Sequence, residues 1–108
     1  MKLIVNEAGK WNWEHGGFQG LSYCDSELEA RQDFRYIMNL LKKAPIIVGK
    51  MNWDTTEAYL TIREEIYPEL HYRVDVVVQG YIVATGAFSN LEDALAKAMR
   101  LISSGEER

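Results

Sequence analysis

The sequence predicts an α+β fold, in which a mostly antiparallel sheet of five or six strands carries two amphipathic helices packed on one face. One observation is a hairpin pattern, because two strand-like stretches flank the polar-glycine pair Gln79-Gly80. Another is a pair of segments with apolar residues at three- and four-residue spacing, as in helices that cover a sheet. The connections between predicted strands are also short, which favours antiparallel pairing over parallel crossovers.

The N-terminal stretch is predicted to form two short strands followed by a loop. The strands are Lys2–Asn6 and Lys10–Glu14, joined by a turn at Ala8-Gly9. Residues 15–22 include three glycines and show no hydrophobic period, so this stretch is predicted to be a loop.

The first helix is predicted to begin at Ser26 and to end just before Pro45. Ser26 and Glu29 have the spacing of a capping box, in which the two side chains bond each other's backbone N–H groups. Lys42 and Lys43 are expected in the last turn, where cations complement the helix dipole. The core-facing side is expected to consist of Ala30, Phe34, Ile37, Met38 and Leu41.

The middle of the chain is predicted to form a strand pair, Ile46–Trp53 and Glu57–Glu64, around a turn at Asp54–Thr56. The segment Tyr67–Glu69 then connects to the final hairpin, whose first strand alternates between two faces. The apolar row of that strand is Tyr72, Val74, Val76 and Val78.

The second helix is predicted to begin at Ser89, with Glu92 completing a capping box, and to end before a frayed polar tail at residues 103–108. Its apolar stripe is expected to consist of Leu91, Ala94, Leu95, Ala98, Met99 and Ile102. Residues 1–108 are expected to form one domain, because cores divide only past roughly 250 residues. The order of the strands in the sheet does not follow from the sequence.

Composition and charge favour a small acidic protein of the cytoplasm. The 108 residues are 47% hydrophobic and 26% charged, which is ordinary for a globular protein. No apolar run approaches the roughly 20 residues that span a bilayer, so no membrane partner is expected. A formal charge of −4 argues against a nucleic-acid partner, because phosphate binding requires Lys and Arg. Cys24 is the single cysteine, which excludes an internal disulfide and fits a reducing compartment.

Several candidate binding residues lie in the N-terminal segment. Trp11 and Trp13 are two positions apart, so on a strand their indoles project from the same face. On a core face these rings are packing residues, whereas on a solvent face paired indoles suit a binding surface. His15 and Phe18, in the predicted glycine-rich loop, complete this candidate surface. Alternatively, the glycine-rich backbone lines a pocket for a nucleotide-like or aromatic small molecule.

A second candidate surface is the polar face of the sheet. Tyr59, Arg63 and Tyr81 are expected opposite the apolar rows, together with Arg73. Tyr and Arg are enriched at binding hot spots, so this face suits a protein partner. The alternative is a solvated face held by cross-strand charge pairs, for example with Asp75.

Catalytic and metal chemistry have little support in the sequence. Cys24 precedes a helix start, which can stabilise a thiolate, and His15 is a conceivable base, but the neighbouring Asp25 raises a thiol pKa. The chain has no closely spaced pair of metal ligands and no phosphate-loop lysine, so no metal or cofactor is expected.

The leading prediction is a small non-catalytic binding protein that acts on a protein partner, as an inhibitor or adaptor of the kind that phages and mobile elements encode. Aromatic residues beside loops and turns, Trp53 among them, favour this interpretation. A small-molecule binder that uses the glycine-rich loop is the second interpretation. A small enzyme that uses Glu14, His15 or Cys24 is the third. The sequence leaves homo-oligomerisation open.

Overall fold

The computed structural model describes residues 1–42, 44–48 and 58–106. Within them, seven strands form one mixed sheet in the order β1-β2-β3-β7-β6-β5-β4. All neighbours are antiparallel except β4 and β5, which run parallel. The α+β class and the mostly antiparallel sheet are confirmed, but the predicted number of strands was too small. The elements are β1 (Lys2–Val5), β2 (Trp11–His15), β3 (Phe18–Gly20), α1 (Glu27–Leu40), β4 (Ile46–Val48), β5 (Ala58–Glu65), β6 (His71–Val78), β7 (Tyr81–Phe88) and α2 (Leu91–Glu106).

The additional strand, β3, lies inside the stretch that was predicted to be a loop. Gly16 and Gly17 have φ angles of 59° and 88°, and they form a two-residue turn between the paired residues His15 and Phe18. Glycine adopts positive φ without steric cost, which is why a glycine pair suits this tight turn. The loop prediction was wrong because the glycines make the turn of a hairpin, and a three-residue strand is too short to show a period.

The pairing of β4 and β5 also differs from the prediction. Ile46 lies opposite Leu60 and Val48 opposite Ile62 in a parallel register, so the two strands do not form the expected antiparallel hairpin. The predicted turn at Asp54–Thr56, and Trp53 before it, lie outside the described residues. Hydrophobic period identifies a strand but carries no information about its direction.

Helix α1 has the predicted cap and the predicted buried side. The Glu29 N–H donates to Ser26 Oγ at 3.2 Å, while the Glu29 carboxylate accepts from the Asp25 N–H at 3.3 Å. Lys42 follows the end of the helix, so it is not in the last turn as expected, and Lys43 lies outside the described residues. The buried residues are Ala30, Phe34, Ile37, Met38 and, directly after the helix, Leu41.

Helix α2 begins at Leu91, two residues after the predicted start at Ser89, and continues to Glu106. Asn90 Oδ1 accepts a hydrogen bond from the Asp93 N–H at 2.7 Å, so Asn90 is the capping residue instead of Ser89. The predicted tail at 103–108 is therefore helical as far as Glu106. The buried row is Ala94, Ala98 and Leu101, with Leu95 and Ile102 partly buried and with Leu91 and Met99 exposed.

One hydrophobic core lies between the sheet and both helices. α1 packs against β1 and β2, α2 packs against β5, β6 and β7, and the helices contact each other. The register aligns Phe18, Gly86, Val74 and Ile62 across four strands, and the three side chains of this row are buried. Both helices therefore cover the same face, as predicted. We call it the inner face, and the opposite one the outer face.

Candidate functional site on the outer face of the sheet

The outer face carries polar residues at the centre of the sheet. The register places Gln19 opposite Thr85, Thr85 opposite Asp75 and Asp75 opposite Thr61. Arg73 lies two residues before Asp75 on β6, and the register places it opposite Arg63 of β5. Alternation along each strand sends these side chains away from the helices, since their neighbours point into the core.

Asp75 is the centre of a hydrogen-bonded network on this face. Asp75 is only 4% exposed, and its carboxylate accepts a hydrogen bond from the Thr85 hydroxyl at 2.8 Å and lies 3.4 Å from Arg63 Nη2. Arg73 Nη1 donates to the same Thr85 oxygen at 3.1 Å. A buried carboxylate is costly unless it is paired and hydrogen-bonded, and here both conditions are met.

Glu65 joins the two arginines that face each other across β5 and β6. It accepts from Arg73 Nε at 3.1 Å, lies 3.4 Å from Arg63 Nη2, and meets His71 Nε2 at 2.9 Å. The hydrogen bond from Arg73 is the main cause that lowers the pKa of the Glu65 carboxyl; desolvation opposes it, and the hydrogen bond with His71 adds to the lowering. Because Glu65 bridges both guanidinium groups, the like-charge repulsion between neighbouring strands is offset.

A cleft of about 350 Å³ opens beside this network, where the β2–β3 hairpin and the chain after β3 meet β7 and β6. Three polar groups of its lining residues have no hydrogen-bond partner among the described residues: the Gln19 amide, the Tyr23 hydroxyl and Arg73 Nη2. Arg73 is held in place by its bonds to Glu65 and Thr85. The cleft lining consists of Gly17, Gln19, Gly20, Leu21, Tyr23, Arg73, Thr85, Gly86 and Ala87.

Two of the predicted binding residues, Trp13 and Phe18, are fully buried core residues. Trp13 Nε1 donates to Asp33 Oδ2 at 2.9 Å, and the indole packs edge-on against Phe34 with ring centroids 5.2 Å apart. Phe18 packs against Phe88 at 5.4 Å. These two rings therefore cannot form a surface in the free protein.

Trp11 and His15 are partly buried and share the inner face with Trp13, because all three occupy alternate positions of β2. Trp11 exchanges backbone hydrogen bonds with Cys24 at 2.8 and 2.6 Å. The His15 ring packs edge-on against Phe34 at 5.2 Å. Neither residue lines the outer-face cleft.

The three predicted sheet residues lie on different faces. Tyr59 and Arg63 belong to the outer face, as expected. Tyr81 is 76% exposed, but the register pairs it with Val78, which belongs to the inner-face row. A bulge between Val76 and Val77 shifts the pairing with β7 by one residue, and the sequence gives no sign of this shift.

Glu14, His15 and Cys24 do not assemble into a catalytic group. Cys24 pairs with Trp11, and at roughly 3.3 Å per strand residue His15 lies roughly 13 Å further along β2. Glu14 and His15 are adjacent on β2 and project from opposite faces. Burial, followed by the carboxylates of Asp33, Glu29 and Asp25, raises the pKa of the Cys24 thiol, which disfavours a reactive thiolate.

Nothing in the sequence indicated the cleft residues Gln19, Tyr23 and Thr85. Gln19 and Thr85 come together only because β3 pairs with β7, and that strand order was not predictable. In the described part of the chain, no group of three or more His, Cys, Asp or Glu side chains is arranged to hold a metal ion. Neither described helix is long and apolar enough to cross a membrane.

Comparisons with known proteins find no similarity: no family model, no curated protein and no solved structure matches the chain.

Proposed function

We propose that this protein acts by binding, without chemistry of its own, and that it holds a protein partner on the outer face of the sheet as an inhibitor or adaptor. The observation that carries the proposal is the cleft beside Arg73, whose lining residues include three polar groups without hydrogen-bond partners among the described residues. A cleft of about 350 Å³ is large enough to accept one protruding side chain of a partner.

The fixed position of Arg73 supports this proposal. Its Nε and Nη1 atoms are bonded to Glu65 and Thr85, while Nη2 has no hydrogen-bond partner among the described residues, and Arg73 lines the cleft. A side chain that is already ordered loses little entropy on binding, so a contact to it contributes more affinity than one to a free surface arginine. Tyr23 adds an exposed ring on the same wall, and Tyr and Arg are the residue types that dominate interface energetics.

Affinity capture from the source cell tests the proposal when a matched pair of tyrosine variants is used. Tyr23→Ala removes the cleft ring, whereas Tyr36→Ala removes an exposed ring on α1, on the other side of the sheet. The wild type and Tyr36→Ala are expected to retain a common protein that Tyr23→Ala binds at least about tenfold more weakly. A partner recovered equally well with all three chains would contradict a role for the cleft.

A small-molecule binder is the second candidate, because the cleft lies where the glycine-rich β2–β3 hairpin meets the sheet. Gly17, Gly20 and Gly86 line it together with the Tyr23 ring, which could stack on an aromatic ligand. Native mass spectrometry of gently purified protein distinguishes the two candidates. A retained small mass that Tyr23→Ala loses would favour the ligand, and a retained protein chain would favour the partner.

A further inference from the structure

We infer that a second interaction surface lies at the end of the sheet where β5 turns into β6, and that it binds a segment of a partner protein that is both basic and apolar. The surface consists of the β5–β6 loop, residues 66–70, and an adjoining apolar pocket. We call it the acidic-apolar end. It is separate from the outer-face cleft, which shares no lining residue with it.

The β5–β6 loop exposes three large apolar side chains within five residues. Ile66 is 77% exposed, Tyr67 86% and Leu70 56%. Single exposed apolar residues are normal on a protein surface, but such a cluster marks an interaction site.

A pocket of about 230 Å³ lies at the base of this loop. Glu64, two residues before Ile66, and Tyr72, two residues after Leu70, line it together with Val48, Ile62 and Leu91. The lining side chains are apolar except for the Glu64 carboxylate and the Tyr72 hydroxyl. The loop and the pocket therefore adjoin each other through Glu64 and Tyr72.

The charge of this surface identifies the occupant. The stretch from Glu64 to Leu70 contains three carboxylates and no Lys or Arg. Glu65 is paired with Arg63 and Arg73 on the outer face, but Glu64 and Glu69 have no ion pair among the described residues. Among the described residues, two carboxylates without an ion pair thus lie in the same stretch as the exposed apolar side chains.

A second copy of this chain would bring four such carboxylates together, in a protein whose formal charge is already −4. Nucleic acids and anionic lipids are repelled for the same reason. A partner segment that places an apolar side chain in the pocket and Lys or Arg beside Glu64 and Glu69 complements both the shape and the charge.

Selection from a random twelve-residue peptide library displayed on phage, with the full chain as bait, tests the inference. Enriched peptides are expected to combine Lys or Arg with Leu, Phe or Trp. Synthetic versions should bind Ile66→Ser/Tyr67→Ser at least about tenfold more weakly than the wild type. They should also bind Glu64→Gln/Glu69→Gln more weakly and with a smaller dependence on salt. Met99→Ser, which removes an exposed apolar side chain on α2, is the control and should leave affinity unchanged.

Three results would overturn the inference. One is a selection in which the wild-type bait enriches no peptides relative to the Ile66→Ser/Tyr67→Ser bait, or in which the enriched peptides are acidic. Another is a dimer in sedimentation equilibrium that the same double variant abolishes, which would assign the surface to a second copy. The third is binding to neutral phosphatidylcholine vesicles that depends on Ile66 and Tyr67. Unchanged melting curves of both double variants ensure that any lost binding does not come from unfolding.

Discussion

Trp13 illustrates how one residue joins the N-terminal hairpin to the rest of the molecule. Its ring is buried against Phe34 of α1, and its indole N–H finds a carboxylate, Asp33, on the same helix. A buried indole N–H is costly unless it has a partner, so the position of β2 on α1 is specified by polar as well as apolar contacts.

Truncation of this ring should therefore destabilise the protein strongly. We expect Trp13→Ala to lower the free energy of unfolding by about 3–5 kcal/mol. Trp11→Ala should cost clearly less, because Trp11 is only partly buried. Urea denaturation of both variants measures the difference. Equal losses for the two tryptophans would mean that Trp13 does not have the anchoring role assigned to it.

The Glu65 carboxylate makes stability depend on pH in a defined direction. Its pKa is lowered in the folded protein, chiefly by Arg73, so its stabilising contribution is complete above the ordinary glutamate pKa. That contribution is lost as the pH falls through the folded-state pKa. Glu65→Gln should thus be less stable than the wild type at neutral pH, and the gap should narrow as the pH is lowered below the ordinary glutamate pKa. A gap that stays constant or widens as the pH is lowered, measured in denaturation curves, would show that Glu65 does not stabilise the fold in this way.

At the scale of elements, the start of α2 depends on which polar residue caps it. Asn90→Ala should lower the free energy of unfolding by about 1 kcal/mol, because the Asp93 N–H loses its acceptor. Ser89→Ala should change the free energy of unfolding by less than about 0.5 kcal/mol, as at an ordinary surface site. Thermal or urea denaturation can rank the two variants. The opposite ranking would restore Ser89 as the cap.

The buried row of α2 can be tested in the same way with two positions on one helix. Leu101 is buried and Met99 is exposed, although both are large apolar residues. Leu101→Ala should cost about 2–5 kcal/mol through lost transfer energy and a residual cavity. Met99→Ala should cost under about 0.5 kcal/mol. If urea denaturation gave similar values for both, the helix would be rotated relative to the packing described here.

The spacing of apolar residues predicted those elements whose regularly spaced apolar residues are also the ones buried in the folded protein. The predictions of the core-facing side of α1 and of the apolar row of β6 were correct, because in each element several apolar residues recur at the same spacing. The α2 cap was missed because Ser89 and Asn90 are both good caps, each with an acidic residue three positions later. The short strand β3 and the parallel pairing of β4 were missed because both depend on contacts distant in sequence.

The candidate site was predictable only in part, for the same reason. Arg63 and Tyr59 follow from alternation along β5, so sequence alone placed them on the outer face. Gln19 and Thr85 lie on strands that are far apart in the chain and meet through the β3–β7 pairing. The burial of Trp13 and Phe18 likewise depends on α1, which covers the N-terminal hairpin.

For the whole molecule, the strand order explains why one face of the sheet is covered by helices while the other carries the charged network and the cleft. The chain places the N-terminal hairpin beside β7, so both helices pack side by side on one face. The charged network holds β5, β6 and β7 together on the other face, and the cleft opens where β3 joins them. The proposed binding surface is thus assembled from both ends of the chain.

Amide hydrogen exchange of the free protein and of its complex with the captured partner tests whether the partner covers the outer-face cleft. Exchange is slowed where a partner covers backbone that otherwise opens to solvent. We expect new protection in residues 17–23 and 84–87, which contain most of the cleft lining. Protection that leaves both of these segments unchanged, for example protection confined to α1 and α2, would contradict this expectation.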